Sequence, residues 1–173
     1  MAKAQVWYLD VVMATFIFAA GLVAFHFYSL NIDRDDRERL EEMSFQADAL
    51  SSELLKEGYP KEWTSVDVVK IGLTNNDQHL DEAQWVEFSL VDYNTSKQLL
   101  GMTYDFLVFF ENAQGNVTPF GGVCGVGLQE INFTFSNETC TRPVLPPVKN
   151  LLTRERYLFG KNNIVKMKVY VFS

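Results

Sequence analysis

KAQVWYLDVVMATFIFAAGLVAFHFYSL, residues 3 to 30, decides the fold of this chain. From Val11 to Leu30 twenty consecutive residues carry no formal charge, and Asp10 stands at the front edge of the run. About 20 apolar residues in a helix cross the hydrocarbon core of a bilayer. Trp7 and Tyr8 at one end and Tyr28 at the other are placed as interfacial aromatics are. A secretory signal peptide has a shorter apolar core and a small-x-small exit. The exit here is Tyr28-Ser29-Leu30-Asn31, which is neither. A buried core helix would need surrounding on all sides, more than one small domain supplies. The run therefore reads as a membrane span.

The rest of the chain reads outward from it. In residues 33–60, Leu40, Met43, Ala47, Leu50 and Leu54 recur at helical spacing and make one apolar stripe on a polar helix. Gly58 and Pro60 form the stop signal. Only Gly21 and no proline interrupts residues 5–57, so the spacing predicts one helix, about 80 Å long at 1.5 Å per residue. After Pro60 the pattern turns to strands. They are expected at 66–73, 103–111, 126–135 and 164–172, with a short helix at 96–100 ended by Gly101 and a turn around Gly115. A proline-bearing loop, 142–147, precedes VKNLLTRERYLF, and Gly160 opens the turn into the closing strand. The predicted class is α+β, a long helix lying on an antiparallel sheet.

Charge and cysteines narrow the function. The net charge is −7, which argues against a nucleic-acid partner, since phosphates are met by clustered Lys and Arg. The acidic surplus is local: residues 31–57 carry nine acids and four bases. Cys124 and Cys140 lie in a Gly-, Thr- and Asn-rich region, and a disulfide closing that loop is worth about 3 kcal/mol. The alternative is a pair of reduced thiols in a cytosolic protein. Four Asn-x-Ser/Thr sequons, at Asn94, Asn116, Asn132 and Asn137, favour the oxidising, exported side and mark candidate N-glycosylation sites.

Motifs for catalysis are weak. His26 lies inside the apolar run and His79 in a polar turn, both remote from the cysteines, so no zinc template fits. Asp33-Arg34-Asp35-Asp36 lacks the glycine and the later glutamate of a calcium loop and reads as a solvated charged face. GGVCGVG (121–127) has neither the Lys-Ser/Thr exit nor the helix of a phosphate loop. No cofactor, no metal and no enzymatic activity are expected. Asp10 is the exception that asks for chemistry. A carboxylate at the edge of a membrane helix is costly unless it is solvated at the headgroups or neutralised by a partner.

Lys3-Ala4-Gln5, followed by an acid near the start of a long apolar helix, resembles the class III signal peptides of archaeal type IV pilins. GYPKEW (58–63), VVKIGL (68–73), LLGMTYDFLVFFE (99–111), GGVCGVG and IVKMKVYVF (164–172) extend the likeness to archaeal pilin-like proteins over nearly the whole chain. The resemblance implies a leader of residues 1–4 cut by a prepilin peptidase between Ala4 and Gln5, a helix of 5–57 and a β-rich head of 58–173. It implies membrane residence first, then assembly by a membrane platform into a helical filament of identical subunits. The filament core would take Asp10, Val11, Phe16, Phe18, Leu22, Val23, Phe25 and Phe27, with the acid pairing with a neighbour's amino terminus. The family has Ser and Glu at the third and fifth mature positions; here Trp7 and Leu9 stand there and the acid is the sixth residue. The rival readings are a membrane-anchored monomeric surface protein and a minor pilin. Arg34, Arg37 and Arg39 against Lys3 would put the C-terminal side in the cytoplasm by the positive-inside count. The sequons, the cysteine pair and the resemblance put it outside, and that orientation is the one expected.

Overall fold

The computed structural model of the chain describes residues 2–75, 77–129, 131, 133, 135–136, 139–160 and 163–173, with backbone alone at 2–6, 30–36, 135–136 and 139. Two compact units, Met1–Glu41 and Glu42–Ser173, divide it. Helix α1, Ala2–Leu54, supplies the first unit and opens the second.

Within the second unit the apolar stripe does what its spacing predicts. Met43, Ala47, Leu50 and Leu54 are fully buried in one core with Phe106, Val108, Phe110, Met167, Val169 and Val171. Each of these side chains larger than alanine contributes about 1.5–3 kcal/mol by leaving water. Leu40, the first residue assigned to the stripe, is partly exposed and lies in the other unit, so burial begins at Met43.

Helix α1 ends at Leu54, three residues before the expected boundary, and the segment expected as a strand at 66–73 explains how. Its backbone caps the helix instead of joining a sheet. Leu73 N donates to Leu54 O at 2.9 Å, Thr74 N to Lys56 O at 3.4 Å, and Thr74 Oγ1 to Leu55 O. Those carbonyls have no partner inside the helix, so a neighbouring segment must satisfy them. Upstream, the Asp67 carboxylate accepts from Thr64 N and Oγ1 at 2.6 and 2.8 Å, which closes a turn where the strand was expected. Val66 and Val69 are exposed, Val68 packs at the edge of the core, and Ile71 and Leu73 are buried in it.

Residues 80–100 form two helices, α2 (Glu82–Leu90) and α3 (Tyr93–Leu99), in place of the single short helix expected at 96–100. Both start on aspartate caps. Asp81 accepts from Ala83 N and Gln84 N, and Asp92 from Thr95 N. Trp85 and Phe88, three apart on α2, are both fully buried, and Trp85 packs edge-to-face on Phe110 with centroids 4.8 Å apart. Gly101 ends α3 at φ +64°, the left-handed position a glycine takes without strain.

The sheet runs β2-β1-β6-β5, antiparallel throughout, with β1 Asp105–Glu111, β2 Gly125–Gly127, β5 Leu151–Phe159 and β6 Ile164–Phe172. The two-residue strands β3 (Phe135–Ser136) and β4 (Thr139–Cys140) pair separately. The strand expected at 126–135 ends early: Leu128 N still takes Phe106 O, the next rung of the ladder to β1, and Ile131 N then turns back onto Leu128 O. Strand β1 reads as a continuous apolar run because both its faces are covered. Phe106, Val108 and Phe110 meet the core with α1, while Leu107 and Phe109 meet a second core with Cys124, Ile131, Cys140 and Phe172.

Candidate functional site

The first unit offers a helix whose described apolar side chains are exposed. The segment Trp7–Ser29 is 23 residues with a mean hydropathy of 2.0, long and apolar enough to cross a membrane, and none of the tested window is buried. Phe16 is 72% exposed and Phe25 68%. Polar groups are few and one is handled locally: Thr15 Oγ1 donates to Val11 O at 2.8 Å, one turn back. His26 lies on the same exposed surface.

Helical geometry sorts the candidate assembly residues into two stripes. Val11, Phe18, Leu22 and Phe25 follow one another at spacings of seven, four and three; Phe16, Val23 and Phe27 do so at seven and four on the opposite side. All seven are exposed. Asp10 is exposed too and sits between the two stripes at the N-terminal end of the span. Sequence reading gathered these residues as one set; the helix presents them as two faces, each able to meet a separate apolar neighbour. Ala4 and Gln5 lie on α1, within the part described by backbone alone.

In the second unit Cys124 and Cys140 form a disulfide with Cα atoms 5.7 Å apart. It fastens β4 beside the start of β2, over the outer face of β1. Asn94 is exposed in the first turn of α3, with the hydroxyl-bearing third residue of its sequon, Ser96, buried. Asn116 is exposed in the turn after β1, where its N–H donates to Asn112 Oδ1 at 3.0 Å. Asn132 and Asn137 lie outside the described residues.

Two charged clusters were not found by reading the sequence. On the outer face of the sheet Glu111, only 1% exposed, meets Arg142 at 2.8 Å, Lys168 at 3.2 Å and Lys166 at 3.8 Å. Glu155 bridges the same two lysines at 3.3 and 3.5 Å. Burial acts to raise the Glu111 carboxyl, but hydrogen bonds from Arg142 and Lys168 overrule it and hold the group below the usual carboxylate range. On the other face Arg154 and Arg156 of β5 reach Asp48 of α1 at 2.7 and 3.3 Å, and Arg154 also donates to Ser44 Oγ at 2.6 Å. The Arg154 hydrogen bond lowers the Asp48 carboxyl against a smaller opposing effect of burial. The signals were present as Lys-x-Lys in 166–168 and Arg-x-Arg in 154–156, the alternation that places both members on one face. What pairs with them depends on strand register, which sequence does not print.

Among the described residues no group of three or more His, Cys, Asp or Glu is placed to hold a metal ion. Comparison of the chain with protein-family models, characterised proteins and solved structures finds no match.

Proposed function

We propose that this chain is a structural subunit of an archaeal type IV pilus-like surface filament, polymerising through its N-terminal apolar helix and contacting surfaces through its β-rich unit. The observation that carries the reading is the apolar segment Trp7–Ser29, whose large side chains are exposed and cover every side of the helix. A helix apolar on every side needs an apolar surround. Lipid supplies it before assembly, and helices of identical subunits supply it afterwards. Burying one such side chain is worth about 1.5–3 kcal/mol, so a few dozen contacts per subunit hold a filament together without covalent links.

The rest is consistent with that use. The disulfide fits a unit matured in an oxidising compartment outside the membrane. In this reading a prepilin peptidase cuts between Ala4 and Gln5, an assembly platform draws the helix from the bilayer, and Asp10 is neutralised by the new amino terminus of a neighbour. Electron microscopy of cells expressing the chain is expected to show thin filaments. Asp10→Ala is expected to abolish them at normal membrane levels; unchanged filaments would end the ionic-pair role. A second reading rests on the same segment serving as a permanent span. A minor pilin or anchored monomer would stay with membranes when surface filaments are sheared off.

A further inference from the structure

We infer that the free edge of β5 is a docking surface for a second copy of this chain, the two edges pairing antiparallel about Arg154. The sheet ends on β5 at one side and on β2, a strand of three residues, at the other. An end strand offers a row of unpaired N–H and C=O groups to another chain.

Which groups face outward is fixed at both ends of the strand. Asn150 exchanges backbone hydrogen bonds with Ser173, and Gly160 N donates to Asn163 O, so even-numbered residues turn toward β6. Odd-numbered residues turn away from it. Phe159 does so: its N–H donates to Gln78 O at 3.1 Å and its carbonyl accepts from Leu80 N at 2.9 Å. Beyond the other end Lys149 N is taken by Ser173 O. In between, Leu151, Thr153, Glu155 and Tyr157 are exposed, and among the described residues their N–H groups have no backbone partner. The carbonyls of Thr153 and Glu155 are met by Arg154 Nη1 at 3.3 Å and Arg156 Nη1 at 3.4 Å. Both guanidinium groups hold Asp48 through other nitrogens, so an incoming N–H displaces Nη1 without undoing an ion pair.

The sequence of the free stretch selects the partner. It runs from Leu151 to Tyr157, and Arg154 is its centre. When it pairs antiparallel with its own copy about that centre, every outward donor meets an outward acceptor. On the outer face Leu151 then lies opposite the copy's Tyr157, and Thr153 opposite the copy's Glu155. The first pair joins apolar side chains that are 47% and 64% exposed, and the second sets a hydroxyl against a carboxylate. Sliding the copy two residues one way puts Glu155 against Glu155 and Leu151 against the occupied Phe159. Sliding it the other way puts Tyr157 against Lys149, whose N–H is taken. On the opposite face Arg154 meets its copy, and each is already paired with Asp48 at 2.7 Å. The pairing uses the second unit alone and does not rest on the chain's polymerising.

The test uses the full chain in lipid nanodiscs holding one chain each, which keeps the apolar helices of two copies apart. Opposed residues of a non-hydrogen-bonded pair have Cα atoms about 4.5 Å apart, within disulfide reach. Arg154→Cys is therefore expected to give a covalent dimer on mild oxidation. Arg156→Cys is expected to give none, because its copy lies four residues along the strand, about 14 Å away. Mixed with the Leu152→Cys chain, whose thiol it opposes, it is expected to link. Thr153→Pro removes an outward N–H and no ladder bond, and in the Arg154→Cys chain it is expected to cut linking about tenfold or more. Hydrogen exchange reads the unsubstituted chain: the Thr153, Glu155 and Tyr157 amides are expected to slow severalfold between about 20 and about 500 μM. Exchange there that ignores concentration overturns the proposal and leaves the edge to a strand of another protein. So does a folded Arg154→Cys chain that stays monomeric, or equal linking by Arg156→Cys alone.

Discussion

One helix, α1, has two different relations to water. In its C-terminal turns the apolar residues occupy one stripe, and Leu50 is 1% exposed inside its own chain's core. In its N-terminal part apolar residues occupy every side, and Phe18 is 69% exposed. Width of the apolar surface makes the difference. A stripe can be covered by one sheet, and a sheet is what residues 105–172 supply. A helix apolar all round can be covered only by something that surrounds it, and a unit of this size has no such surface to give. The apolar area left over is therefore the most informative feature of the molecule, and it points outside the chain.

That contrast can be broken by substitution. Leu50→Ala is expected to cost about 2–5 kcal/mol of unfolding free energy, read by denaturant titration with near-UV circular dichroism. Phe18→Ala, a larger truncation, is expected to leave the same transition within about 0.5 kcal/mol and to alter filament or membrane partition instead. Equal destabilisation by the two would mean that the N-terminal segment is packed within its own chain. Reducing the Cys124–Cys140 bridge is expected to cost about 3 kcal/mol and to loosen the outer face of β1 while sparing the core around Leu50. Hydrogen exchange reads the loosening: the amides of β2, Gly125 to Gly127, should gain exchange relative to those of α1.

Smaller effects come from the charge clusters. The Glu111 carboxyl is lowered in the folded state from its ordinary 4.5, so its contribution is present above that pH and is lost as pH falls through the lowered value. Glu111→Gln is expected to flatten this acid limb and to cost about 2 kcal/mol near neutral pH, moderated because Arg142 is exposed. An acid limb unchanged by that substitution would show that Arg142 and Lys168 do not stabilise the charge. The Asp48 pairs with Arg154 and Arg156 are half in solvent, and Asp48→Asn is expected to change stability by less than about 1 kcal/mol.

Much of this was legible before any coordinates. The membrane-length segment, the stripe from Met43 to Leu54, the closing strand Ile164–Phe172 and the cysteine pairing follow from length, period and composition. The errors share a cause. Residues 66–73 read as a strand, yet the N–H groups of Asp67 and Val68 turn onto Thr64 O, those of Val69 and Lys70 take Tyr59 O, and Leu73 N takes the free carbonyl of Leu54 at the helix end. The strand expected at 126–135 ends after Gly127 because Ile131 N turns back onto Leu128 O. Asp81 and Asp92 are cap signals for α2 and α3 already visible in the sequence. The Glu111 cluster depends on which strands pair and in what register, a property of the whole chain.

The central claim is that the exposed N-terminal helix ends its life surrounded by copies of itself. Mass spectrometry of the surface filaments sheared from cells tests it most directly, by identifying both the dominant protein and its first residue. The expected result is this chain as the main component, beginning at Gln5. Recovery of the chain only in the membrane fraction, with Met1 intact, would contradict the claim.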